Sequence, residues 1–270
     1  MSDAPDGSAY PPADPSTAAI KQGPQVVFAI RRLFLGDTNP DGTESSDAWK
    51  QYGYDIDGIA SSRCTTNHCR PQPGGNEASI ETDGRGGTDN SFGENLVPFW
   101  ISLAGNFSQD VNDAMARGAH TLLFAIDRLD AGSDLSGLTG SLYEGAPLGT
   151  APAWDGSDTW PVFCEYLDKC LASGTPTPPA NASKMIFTGG YVRDNVLVIH
   201  PQGYVDIGLN WLHAWFPLRL HHVVISMRLG TEGQAPRTAT QGVISGVMDT
   251  QEYVTLIDDH IEDFCRAMPS

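Results

Sequence analysis

KMIFTGGYV (184–192), NVLVIH (195–200), YVDIGLNW (204–211), LRLHHVVISMRL (218–229) and TQGVISGVM (240–248) make up the stretch whose reading decides the fold. Each run is rich in β-branched and aromatic residues and is bounded by Gly, Pro or Asn. Short strands so closely spaced predict antiparallel pairing, because a tight turn joins antiparallel neighbours whereas parallel ones need a long crossover. Upstream, residues 25–35 (QVVFAIRRLFL) and 120–129 (HTLLFAIDRL) read as further strands.

Helices are fewer. The apolar run at 90–105, limited upstream by Pro98, predicts a buried helix. Residues 108–118 (SQDVNDAMARG) predict another, with Ser108 as its cap and Gly118 as its stop. Residues 46–52 form a short helical turn that packs Trp49 and Tyr52. A C-terminal helix over 248–268 places Val254, Ile257, Ile261 and Phe264 on one apolar face. Residues 130–161, full of Gly, Asp, Ser and Pro, read as loop or short hairpin. The expected fold class is therefore mostly β: an antiparallel, sandwich-like domain with a few packed helices, including the C-terminal one. Residues 1–24 read as a disordered tether and 25–270 as a single β-rich domain, with an internal boundary suggested by the Pro-rich interval near 173–183.

A formal charge of -17 and a pI near 4.5 argue against a nucleic-acid surface, which needs clustered Lys and Arg, and against anionic membranes. No stretch approaches the roughly 18 consecutive apolar residues of a membrane span. The amino terminus lacks the basic and apolar parts of a signal peptide, and its Pro, Ala and Ser content suits the tether of a mature exported protein. Cysteine usage fits export as well. Cys64 and Cys69, and Cys164 and Cys170, are spaced for small disulfide loops, with Cys265 left over or an alternative partner of Cys164 or Cys170. Zinc on Cys64, His68 and Cys69 is the rival reading, on a weak ligand pattern.

Chemistry is suggested most strongly by 36–42 (GDTNPDG), where Asp37, Asn39 and Asp41 alternate before a glycine as ligands do in a loop that wraps a hard cation. An EF-hand fails at its twelfth place, which is Ala48. The acid-and-glycine mixture recurs, however, in 55–58 (DIDG) and 83–90 (DGRGGTDN). Between Asp37 and Asp57 six acids face a single base, Lys50, a density that invites neutralisation by a cation. The expected cofactor is calcium, with Asp37, Asn39, Asp41, Asp57, Asp83, Asp89 and Asn90 as ligands and Asp55 pointing away. Plain turns are the alternative, since Asp, Asn and Gly also build them. A rim so fixed would present Trp49, Tyr52 or Tyr54 to a glycan or cell-surface ligand.

Nucleophile-elbow, Walker and zinc-protease motifs are missing. For a hydrolase, the alternative class, Asp206, His213 and His200 could meet a carboxylate from the first half as an acid and base pair. Trp211, Trp215 and Phe216 lie nearby in sequence, and of the adjacent His221 and His222 one faces inward and one outward.

The blocks FLGDTNPDGTESSDAWKQYGYDIDG, DGRGGTDNSFGEN and LYEGAPLGTAPAWDGSDTWPV resemble a family of uncharacterised, exported bacterial proteins, often lipoproteins, over most of the chain from residue 30 on. The resemblance implies a secreted or cell-envelope location and names no substrate. The function expected is a calcium-stabilised binding or surface-architecture protein; a calcium-assisted hydrolase of polysaccharide or ester and a purely structural envelope protein are the alternatives.

Overall fold

The computed structural model describes residues 10–16, 23–62, 73–74, 82–130, 134–168, 183–211, 214–230 and 236–267. The expected mostly antiparallel β architecture is present. The chain divides into two compact units, Met1–Pro11 with Phe34–Gly105, and Pro12–Leu33 with Asn106–Ser270. The candidate boundary at 173–182 lies outside the described residues.

The second unit holds the eight strands of the described residues: β1 (Val26–Ala29), β2 (Thr121–Ile126), β3 (Leu135–Gly145), β4 (Met185–Arg193), β5 (Val196–Ile199), β6 (Tyr204–Trp211), β7 (Ala214–Leu229) and β8 (Ala239–Val247). They form one antiparallel sheet in the order β1-β2-β3-β4-β5-β7-β6, with β8 also paired to β7. The sixteen residues of β7 serve two neighbourhoods. Its first half pairs with β6 and its second half with β5 and β8, and between them His222 takes a left-handed φ of 50° at a register shift. This bulge bends the strand. The sheet curls so that β6 meets β2 and β3, which makes the arrangement sandwich-like.

TLLFAI of β2 and VLVI of β5 are buried throughout, the behaviour of strands covered on both faces. Helix α2 (Phe107–Ala116) packs on β6, where Phe107 meets the fully buried Trp211 edge-on at 5.2 Å. Helix α3 (Thr250–Ala267) packs on β7. The Asp249 Oδ1 caps it by accepting from the Gln251 and Glu252 N–H groups, each at 2.9 Å. Its packed face differs from the expected one: Val254 and Ile261 are exposed, whereas Tyr253, Leu256, Ile257 and His260 are half-buried. Asn106, not Ser108, precedes α2, and Ser108 is buried within its first turn.

Strand β3 corrects the reading of 130–161 as loop or short hairpin. Gly140 is there because the chain has no room for a side chain: a Cβ would come within 2.1 Å of the Ala125 carbonyl oxygen and 2.6 Å of the Phe187 ring. A glycine required by close approach looks in sequence like one required by a turn.

Among its described residues the first unit is built from turns, short 3-10 helices at Ala48–Gln51 and Arg85–Gly87, and a longer helical segment. A π-helical turn at Phe92–Leu96 runs into α1 (Val97–Ala104), whose Val97 and Trp100 are buried. Trp49, at 5% exposure, and Tyr54, at 3%, are its core. Gly36 and Gly93 approach backbone to backbone beside Trp49, which no Cβ at either position would permit without displacement. The proposed tether is engaged where it is described: the Tyr10 hydroxyl donates to Asp55 in this unit, and the Pro12 carbonyl accepts from the Tyr191 hydroxyl in the second. Cys265 on α3 is a free, exposed thiol, so it has no bond to Cys164 or Cys170; Cys64, His68, Cys69 and Cys170 lie outside the described residues.

Candidate functional site

Two clusters carry chemistry, one in each unit. In the first unit the carboxylates of Asp55, Asp57 and Asp89 each contribute an oxygen to a group lying within 4.8 Å of one another. Two ligands of one calcium ion, each at 2.3–2.6 Å, can lie no farther apart than about 5 Å, so this spacing fits a shared cation. An all-oxygen set suits a hard ion such as calcium or magnesium rather than zinc.

The backbone positions each acid. Gly58 N–H donates to Asp55 Oδ1 at 2.6 Å, and Tyr10 hydroxyl to Asp55 Oδ2 at 2.7 Å. Ile59 N–H holds Asp57 Oδ1 at 2.8 Å. Ile56 and Asp57 N–H groups hold Asp89 Oδ2 at 2.6 and 3.2 Å, which ties residues 55–57 to residue 89. Burial, and then the charges of Asp57 and Asp83, push the Asp89 carboxyl above its ordinary range against those two N–H groups. The hydrogen bond to Asp55, more than any other cause, raises the Tyr10 phenol and keeps it a donor. Gly87, with φ of 95°, admits the Asp55 carboxylate; a Cβ there would lie 2.9 Å from Oδ2.

The other expected ligands are spent elsewhere. Asn90 donates to the Trp49 and Tyr52 carbonyls at 3.2 and 3.0 Å and accepts from Gly93 N–H at 2.8 Å, so it fastens loops together. Asp83 accepts from the Ser61 N–H. In the loop that first suggested calcium, Asp41 Oδ1 takes the Thr43 N–H and hydroxyl at 2.9 and 2.6 Å. Asn39 donates to Thr43 Oγ1 at 3.0 Å and accepts from Gln51 at 2.9 Å, and the Thr38 hydroxyl donates to Asp37. These side chains close a turn on itself around Gly42 rather than gather about a point. Asp55, expected to point away, is the buried member of the cluster. The expected aromatic rim is displaced too: Trp49 and Tyr54 are interior, and Tyr52 stacks on Phe34 at 5.6 Å and donates to the Thr38 carbonyl.

Within the second unit a cavity of about 490 Å³ opens between β6, β7, the start of β4, α3 and the turn Cys164–Tyr166. Arg219 and Asp206 lie side by side in its lining in a two-bond ion pair, and the guanidinium lies 4.0 Å from the centre of the Tyr204 ring. Trp215 forms part of the wall; its ring lies on Gly208, where a Cβ would come within 1.8 Å, and 5.0 Å from the Phe163 ring. Tyr166 is raised by burial and then by the charges of Asp206, Glu144 and Glu165, with a hydrogen bond from Trp215 opposing.

Behind this wall lie two polar side chains without hydrogen-bond partners, Glu144 and His120, each 1% exposed. Burial, with the charges of Asp206 and Glu165, pushes the Glu144 carboxyl well above the carboxylate range. The Gly208 N–H opposes this by more than either acid adds to it, although it lies outside strict hydrogen-bond geometry. Burial pushes His120 down to about 4. Sequence reasoning missed both, because a Glu in a run read as loop and a His at a strand entrance carry no signal of what faces them. Of the residues suggested for acid and base work, Asp206 is in the cavity. His213 lies outside the described residues, and His200 lies by Tyr191 at 6.4 Å. The Trp211 side chain is core; His221 pairs with Glu252 of α3 at 2.6 Å, and His222 is exposed.

No family model matches this chain, nor does any curated protein or solved structure. Among the described residues no helix is long and apolar enough to cross a membrane.

Proposed function

We propose that this protein is an exported, calcium-stabilised binding protein. The observation that supports this reading is the convergence of Asp55, Asp57 and Asp89, each on its own backbone hydrogen bonds, to within the span of one cation. The ion neutralises three crowded acids and fastens the 55–58 and 83–90 loops, leaving water and loop carbonyls to complete its six to eight ligands. An exported location suits calcium, whose extracellular modules bind it at roughly 0.1–1 mM.

The test is a thermal melt of chelator-treated protein with and without millimolar calcium, with magnesium as comparison. A ligand bound only by the native state at about a one- to tenfold excess over Kd adds about 0.4–1.4 kcal/mol, which is read as a rise of about one to five degrees. An unchanged melt, with no metal found by elemental analysis of the untreated protein, rejects the reading.

A hydrolase is the second reading, favoured by one observation. Glu144, raised by burial, and Asp206, held by Arg219 in the cavity lining, put two carboxyl groups near one cavity. Release of nitrophenol from chromogenic glycosides and esters, lost in Glu144→Gln, is its test.

A further inference from the structure

We propose that the cavity of the second unit is a binding site for a small neutral carbohydrate, a mono- or disaccharide set against the Trp215 and Tyr204 rings with its hydroxyls on Asp206, Gln202 and Glu165. This site is separate from the cation cluster and does not depend on it.

Size comes first. At about 490 Å³ the cavity falls in the range of small-ligand sites, roughly 300–1,000 Å³. Its charge excludes the commoner polar ligands. The acids Asp206 and Glu165 are matched by Arg219 and Lys184, so no surplus of either sign is offered. The Arg219 fork, the natural clamp for a phosphate or carboxylate, is already closed on Asp206. Lys184 Nζ donates to the Glu165 carbonyl at 2.7 Å. An anion has to break these contacts to enter.

What remains is hydrogen-bonding capacity of the kind hydroxyl groups use. A carboxylate has roughly four acceptor sites, of which Arg219 occupies two on Asp206. Gln202 is oriented by its Nε2 donation to Thr188 Oγ1 at 3.0 Å, which leaves its carbonyl oxygen to accept and its second N–H to donate. His260 Nδ1 donates to the Leu256 carbonyl at 2.8 Å, since a carbonyl can only accept, and so its ring is fixed as well. Sugars pair such hydroxyls with an apolar C–H face, and aromatic rings that are apolar on their faces and polar at their rims suit both.

The layer behind the cavity wall is polar as well. Buried polar side chains are almost always hydrogen-bonded, and leaving one unpaired costs stability. Glu144 and His120 are both buried and unpaired beside this cavity: two of its lining acids, Asp206 and Glu165, are the charges Glu144 feels, and the His120 ring stands edge-on to Trp215 at 6.2 Å. Trp215 itself is held in place by Gly208 behind it and Phe163 beside it, so its position is set before any ligand arrives.

The experiment is titration of the intact chain with glucose, galactose, N-acetylglucosamine, maltose and cellobiose, with inorganic phosphate as control. It is followed by tryptophan fluorescence and calorimetry, once in calcium and once in chelator. Binding of at least one sugar in both conditions is expected. Tyr204→Ala and Gln202→Ala, at exposed positions, should each weaken it roughly tenfold, with a cooperative melt of each unliganded variant showing that it is folded. The proposal is overturned if no sugar binds at millimolar concentration, if phosphate binds instead, or if both variants bind as the parent does. Because the cation reading is judged by melting and metal analysis, either can fail without the other.

Discussion

Arg219 of β7 grips Asp206 of β6, its partner in register, with Nε on Oδ1 at 2.7 Å and Nη2 on Oδ2 at 2.8 Å. The two parallel bonds fix both planes, and the Asp206 hydrogen bonds raise the guanidinium further above its already high range. Asp206 is nearly buried whereas about a quarter of Arg219 is exposed, so the pair is screened on one side only. Removing the arginine strands a buried carboxylate. Arg219→Ala should cost roughly 2 kcal/mol in urea unfolding, discounted from the 3–5 of a fully buried pair. Adding Asp206→Leu to Arg219→Met should recover much of the loss, and a double variant no better than Arg219→Ala would show that the pair is not what the stability depends on.

Asp89 makes an opposite prediction with and without cation. Its carboxyl is raised by burial and neighbouring acids, so its ionised form is disfavoured in the folded protein, and that penalty grows as pH rises above the ordinary aspartate value. In chelator at neutral pH, Asp89→Asn should melt no lower than the parent. In calcium the same variant should lose most of the calcium-dependent rise, while Asp41→Asn, in the self-closed turn, should keep it. Equal effects of the two variants would place the ion elsewhere.

Glu144 and His120 set opposing slopes in the pH dependence of stability. Glu144 titrates higher folded than unfolded, so its contribution is intact below about pH 4.5 and is lost as pH rises through the folded value. Glu144→Gln should therefore raise the melting temperature at pH 7 and leave it unchanged at pH 4.

His120 works the other way. Its folded value of about 4 lies below the ordinary 6.5, so the unfolded chain takes up the proton first and stability falls as pH drops through that window. The full effect is roughly 3 kcal/mol. His120→Phe should flatten the acid limb of the stability profile between those two values, and a limb as steep as the parent's would assign the acid sensitivity to other groups.

Gly140 tests the strand that sequence reading passed over. A Cβ at this site meets backbone as well as the Phe187 ring, and backbone cannot rotate away. Gly140→Ala should destabilise by roughly 1–3 kcal/mol in urea unfolding, whereas Gly149→Ala, with open space around it, should show only the smaller effect of its φ of 81°.

The sequence by itself determined the β class, the strands from 184 onward and the place of the C-terminal helix. Alternating or continuous apolar runs between Gly, Pro and Asn have few other ways to be buried. Residues 55–58 and 83–90 were also legible as acid-rich loops, because local composition marks a turn wherever it occurs. Tertiary structure decided the rest. Whether Asp37, Asn39 and Asp41 converge or close upon Thr43 depends on which hydrogen bonds the neighbouring chain supplies, and so does the recruitment of Asp55 beside Asp89, some thirty residues away in the chain. Gly140 of β3 could not be told from a turn glycine because the Ala125 carbonyl and the Phe187 ring that require it arrive from other strands. The bend of β7 and the curl of the sheet brought Glu144, Asp206 and Trp215 into one neighbourhood, since burial and charge proximity belong to atoms in space and not to positions in a chain.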